Sequence, residues 1–174
     1  MIDERSGAVV SPCGFYRLRL WRRWDLEKRV LLWIMLNPST ADASVDDPTI
    51  LAICDFARRW GYGGIEVVNL YSYRTKSPEV LKSAGYPIGP GNNLTISALV
   101  QWRAEPDQRQ RVICAWGSKA QPERALAVYD MISEFVTPCA LAVNKDGTPK
   151  HPLYVKRDTV PSFYDIRYPH ETLW

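Results

Sequence analysis

The apolar residues of this chain fall into short runs separated by polar stretches rich in Pro and Gly. The run "GFYRLRLW" (residues 14–21) alternates apolar and basic positions with the two-residue period of a strand that has one face in water. The runs "VLLWIMLN" (30–37), "IEVVNLYSY" (65–73), "RVICAWG" (111–117) and "CALAVN" (139–144) are rich in β-branched and aromatic residues, and most lack alternation. They predict central strands covered on both faces. The first run reaches the second through a polar segment at 25–28, so the two are expected to pair as an antiparallel edge hairpin.

Helical spacing fills the gaps. Asp47-Pro48 supplies a cap and a first-turn proline, Ile50, Cys54 and Ala57 follow on one face, and Gly61 with Gly63-Gly64 ends the segment. A second helix is expected over about 93–103, with Leu94, Ala98, Leu99 and Trp102 inward. A third begins at Pro122 and aligns Ala125, Val128, Tyr129 and Ile132. Strands alternating with helices predict one domain over residues 1–174. The expected fold class is α/β, a three-layer αβα sandwich with a mainly parallel central sheet and an N-terminal antiparallel edge hairpin. In such folds ligands bind at the carboxyl ends of the strands.

Composition narrows the class. With 174 residues, 46% of them hydrophobic, the chain can bury an ordinary core. No window approaches the roughly 18 apolar residues of a membrane span. Asp3, Glu4 and Arg5 interrupt any signal peptide, so a cytoplasmic protein with no membrane partner is expected, with a monomer favoured. Cys13, Cys54, Cys114 and Cys139 are isolated from one another, which reads as reduced thiols rather than a zinc or iron–sulfur site. A net charge of +3 permits an anionic partner without requiring one, while seven Trp and nine Tyr supply core mass and flat faces for stacking on bases.

Chemistry is therefore sought at the strand ends. These present Asn37-Pro38-Ser39-Thr40, then residues 69–74, then Trp116-Gly117-Ser118, then the loop "NKDGTPKHPLY" (144–154). Each has an ordinary explanation: Asn37 as a turn cap, Asn69 as a partner for buried backbone, Gly117 as a positive-φ exit from a strand, His151 as a surface imidazole. Their conjunction carries more weight.

In this order the segments resemble the motifs of the uracil-DNA glycosylase superfamily. Met35-Leu36-Asn37-Pro38-Ser39 is similar to its G-I-N-P-G, "VVNLYSYRT" to its base-reading strand, "AWGSKAQ" to a W-G-S-x-A-Q strand end, and His151-Pro152-Leu153-Tyr154 to its H-P-S-P-L loop. Met35 and Ser39 stand where that family has glycines, and its iron–sulfur cysteines are absent. The whole chain, "MLNPSTAD" and "HPLY" above all, also resembles the bacterial and phage family known as domain of unknown function 1643.

The first resemblance implies a DNA base N-glycosylase acting on uracil or another modified base, hydrolysing the glycosidic bond with no metal or cofactor. The partner is then DNA or a nucleotide containing a modified base. Asn37 would position the attacking water through its carbonyl, with Asp42 in reserve, and neutral His151 would donate to the departing base oxygen. Asn69 and Arg74 belong to the base-reading strand, and Tyr71 or Trp60 would stack on the base. Pro38 stiffens the first loop, and Pro152 opens the last. Leu153 and Tyr154 would fill the gap left by a flipped nucleotide. Ser39, Thr40, Gly117 and Ser118, helped by Lys119, Lys150, Lys156 or Arg157, would hold phosphates through hydroxyls and loop amides. Two other readings stay open: a binding module of the same fold that recognises a base, nucleotide or DNA end, and a hydrolase or transferase acting on free nucleotides. Asp42, Asp46 and Asp47 are not expected to form a Mg²⁺ site, since Asp47 is already a helix cap and no second acidic cluster supplies the remaining ligands.

Overall fold

A computed structural model describes residues 5–105 and 108–170, so Asp3 and Glu4 lie outside the described residues. A seven-stranded open sheet is built from β1 (Ser6–Val10), β2 (Arg17–Arg23), β3 (Val30–Met35), β4 (Gly64–Asn69), β7 (Arg111–Cys114), β8 (Thr137–Ala140) and β9 (Ser162–Phe163), with β5 (Ala104–Glu105) and β6 (Gln108–Arg109) forming a separate small hairpin. The sheet order is β1-β2-β4-β3-β7-β8-β9. The inner four strands, β4-β3-β7-β8, are parallel, and β1, β2 and β9 extend them antiparallel.

Helices cover both faces. Helix α1 (Pro48–Arg59) packs Ile50, Ile53 and Phe56 on the face formed by Leu31, Trp33, Ile65 and Val67. Helices α2 (Pro78–Ser83), α3 (Asn92–Gln101) and α4 (Pro122–Ser133) cover the opposite face, where Leu32, Ile34, Val68 and Val112 meet Leu81, Ile96, Val100, Val128 and Ile132. The alternation of β3 thus divides two apolar clusters, one on each side of the sheet. Asp47 caps α1 by accepting from the Ile50 N–H at 2.9 Å, and Pro48 opens it as expected. Among the described residues no helix is long and apolar enough to cross a membrane.

Two expectations are corrected. Strand β2 does not pair with β3; β4 lies between them, with Leu20 opposite Val67 on one side and Trp33 opposite Val67 on the other. The β2–β3 connection passes over the start of β4, and Gly63-Gly64 makes room for it. A Cβ at Gly63 would sit 2.2 Å from the Asp25 carbonyl oxygen, and one at Gly64 would sit 2.6 Å from that of Arg22. The edge hairpin exists, but its second strand is β1.

Helix α3 is rotated from the expected face: Leu94 and Trp102 are 77% and 74% exposed and Ala98 is exposed, while Asn92, Ile96, Leu99 and Val100 are buried. The cause is Asn92, whose Nδ2 donates to the carbonyls of Asn69 (3.0 Å) and Leu70 (3.1 Å). Satisfying those strand-end carbonyls sets the rotation of the helix.

The topology places the site. From β3 the chain moves through α1 to β4 on one side, then returns through α2 and α3 to β7 on the other. The loops after β3 and β7 therefore leave in opposite directions, opening a crevice at their carboxyl ends.

Glu66, buried on β4, is bridged by Arg103 beyond α3 and by Arg19 on β2. Arg103 is itself buried and donates to the Leu99 carbonyl at 2.8 Å, so the carboxylate ties α3 to the sheet. Glu66→Gln leaves Arg103 with a buried charge and is expected to lower stability by about 3–5 kcal/mol. Adding Arg103→Met should restore a large part of that loss, and urea unfolding of the single and double variants measures both.

Candidate functional site

A cavity of about 440 Å³ occupies the crevice, within the roughly 300–1,000 Å³ of small-molecule sites. The loop after β3 supplies Asn37, Ser39 and Asp47, β4 supplies Val67 and Asn69, and the loop after β4 supplies Thr75 and Lys76. The loop after β7 supplies Trp116, Gly117, Ser118 and Lys119, and the last loop Asn144, Lys150, His151 and Tyr154. Met35 lines the wall without closing the cavity.

Asn37 is oriented by two carbonyls. Its Nδ2 donates to Thr75 O at 2.8 Å and to Pro38 O at 3.0 Å, while the Thr75 N–H donates to Pro38 O at 2.9 Å. Only the amide nitrogen can serve two carbonyls, so the assignment of nitrogen and oxygen follows from the chemistry and leaves Oδ1 as a free acceptor. Asn69 is 2% exposed and reaches the same cavity from the end of β4, where Asn92 holds its backbone.

His151 caps the turn Pro152–Tyr154, which packs against α1. Its Nδ1 accepts from the Leu153 N–H at 3.4 Å, so the neutral ring carries its proton on Nε2. Burial pushes this imidazole below its ordinary value of 6.5, with nearby Asp47 pulling the other way. The Gly117 N–H donates to Pro149 O at 2.9 Å, joining the two loops, and Gly117 holds the φ of +71° that leaving β7 requires.

Charge is concentrated here. Four cationic side chains, Arg17, Lys76, Lys119 and Lys150, line the cavity against one carboxylate, that of Asp47. In the sequence Arg17 reads as a water-facing strand residue, whereas it is 3% exposed. The loop after β3 folds over β2, and Arg17 Nη1 donates to Ala41 O at 2.6 Å. Arg22 likewise donates to Asp42 O at 2.6 Å and pairs with Asp46 at 2.8 Å. Arg17, Thr49, Thr75 and Lys76 were not singled out by motif; the one signal for Arg17 was a basic residue inside an apolar run.

Several expected site residues do not line the cavity. Asp42 is occupied by its own loop, accepting from the N–H groups of Ser44 and Val45 at 2.9 Å, and these bonds hold its carboxyl below the usual range. Tyr71 lies in the core on the opposite face of the sheet, its hydroxyl 3.2 Å from the Gln121 N–H. Trp60 stacks on Trp33 at the far end of α1, about 18 Å along the helix from Asp47. Neither is placed to stack on a base in the cavity; Trp116 and Tyr154 are the aromatic residues that line it. Arg74 donates to Gly14 O at 3.1 Å, Pro38 and Pro152 are buried within their turns, and Thr40 and Leu153 are exposed outside the lining. Arg157 is tied to Ala52 O and Asp55, and Lys156 is exposed away from the cavity. Among the described residues no group of three or more His, Cys, Asp or Glu could hold a metal ion. The four cysteines are free, with burial raising the thiols of Cys54 and Cys139 to about 11.

No curated protein and no solved structure matches the chain. Residues 17–153, running from Arg17 through His151 to Leu153, match the family described as Protein of unknown function (DUF1643). The match spans most of the chain and every strand that lines the cavity, and the chain belongs to this family.

Proposed function

We propose that the protein hydrolyses the N-glycosidic bond of uracil or another modified base in DNA. The observation that carries this reading is the convergence of Asn37, Asn69 and His151 on one cavity. Cleavage of a base–sugar bond needs an acceptor that holds water against the sugar, a donor for the anionic base, and a group that identifies the base. Asn37 Oδ1 serves as the acceptor, and His151 Nε2–H as the donor. The Asn69 amide offers donor and acceptor together, as one edge of a pyrimidine requires. Tyr154, exposed at the cavity rim, supplies a face for the ring. Four cations favour a polyanionic substrate. Tyr154, 76% exposed at the rim beside exposed Leu153, suits a wedge that fills the gap of an extruded nucleotide. The likeness of the four segments to uracil-DNA glycosylase motifs agrees with these roles.

A second reading, hydrolysis of free nucleotides, is favoured by the size of the cavity, which has room for a nucleotide within it. Duplex and single-stranded oligonucleotides bearing uracil, hypoxanthine or hydroxymethylated bases, followed by alkaline cleavage of abasic sites, separate the two. Strand scission is expected from at least one substrate. Asn37→Ala and His151→Ala should each reduce it by roughly 10²–10³. Release from mononucleotides alone supports the second reading, and tight binding with no base released from any substrate defeats both.

The pH profile follows from His151. Protonation would set Nδ1–H against the Leu153 N–H and turn the ring away, so base release should fall on the acid side with a midpoint below 6.5. In Asp47→Asn, which keeps the helix cap, the midpoint should move lower still, because Asp47 raises the imidazole pKa. Stability shares this sign. The unfolded chain takes up the proton first, so the contribution of neutral His151 is present above 6.5 and is lost as pH falls through the lower folded value.

A further inference from the structure

We infer that Arg17 forms an oxyanion subsite in the cavity wall and that the substrate carries a phosphate or carboxylate group to it. Arg17 is 3% exposed yet enters none of the ion pairs among the described residues. Among the described residues its guanidinium makes one hydrogen bond, from Nη1 to Ala41 O, and Nε is buried with no partner. Asp47 and Asp42 act on it only at a distance, while Arg74 and Arg22 add like charge. Burial lowers its pKa to about 10, which still leaves it cationic at neutral pH.

An unpaired buried charge is costly, and the other buried arginine beside this loop, Arg22, has Asp46 as its counter-ion. Arg17 lines the cavity instead, with Lys76, Lys119 and Lys150 also on its lining. A planar guanidinium with free donors matches the paired oxygens of phosphate or carboxylate. The counter-ion is therefore supplied by the ligand. The nature of that ligand rests on the glycosidic reading: the oxyanion is either the phosphate of the extruded nucleotide or a carboxylate on the base itself. Whether an anion binds does not depend on that reading.

Calorimetric titration of the protein with deoxyuridine 5′-monophosphate against deoxyuridine, and with uracil-5-carboxylate against uracil, tests the subsite and names the source. In at least one pair the charged member should bind roughly ten- to a hundredfold more tightly. Arg17→Met should abolish that preference, while its ligand-free melting temperature stays within about 3 °C of wild type or rises, because a buried charge has been removed. Equal affinities in both pairs, a preference that survives in Arg17→Met, or a ligand-free melting temperature far below wild type would each overturn the subsite. The last outcome would assign the guanidinium to holding the loop through Ala41. Absence of base release with the anion preference intact removes the glycosidic reading alone.

Discussion

The ion pair of Arg22 on β2 with Asp46 holds the loop that follows β3, and the same guanidinium donates to the carbonyl of Asp42, while Arg17 reaches the Ala41 carbonyl through one donor and keeps its other donors unspent. This loop runs from a buried strand to the cap of α1 without a ladder of its own, so its carbonyls need donors from elsewhere. With them satisfied, Asp47 sits at the head of α1 and both ends of the loop face the cavity. The arrangement requires β2 to lie beside β4, which in turn requires the β2–β3 connection to pass over Gly63.

Within that frame the polar groups of the site are set by backbone bonds. Thr75 O and Pro38 O accept the Asn37 amide hydrogens, the Leu153 N–H donates to His151 Nδ1, and Asn92 holds the carbonyls at the end of β4. The bonds at Asn37 and His151 each leave one atom of defined character, an acceptor at Asn37 and a donor at His151, on residues that line the same cavity. Groups fixed in this way need no reorganisation when a ligand arrives, which is where oriented dipoles in a cavity gain their strength. Arg17 alone among the cavity's cations is almost fully buried, and it retains unused donors.

Much of the fold was legible because local pattern and tertiary role agreed. The continuous apolar runs became the parallel core strands, Asp47-Pro48 started α1, and the stripe from Ala125 to Ile132 faced the sheet. Where pattern misled, a polar contact had overridden it. Helix α3 turned Leu94 and Trp102 outward because Asn92 bonds strand-end carbonyls, and Tyr71 left the site because β4 ends at Asn69 and the alternation breaks beyond it, so that Leu70 and Tyr71 both join Val68 in the core of the opposite face. The short helix α2 was not read at all, since six residues carry too little periodicity to register.

From its order of residues alone, the chain specified the four parallel core strands and β2, which strand ends carry amides, hydroxyls and an imidazole, and that they belong at one edge of an α/β sheet. Those are properties of short-range pattern and of chain direction. Which of these residues share a cavity was decided only by tertiary structure. Burial of Arg17, the spacing of the loops after β3 and β7, and the exclusion of Asp42 and Tyr71 depend on contacts between segments far apart in the chain, for which local periodicity holds no information.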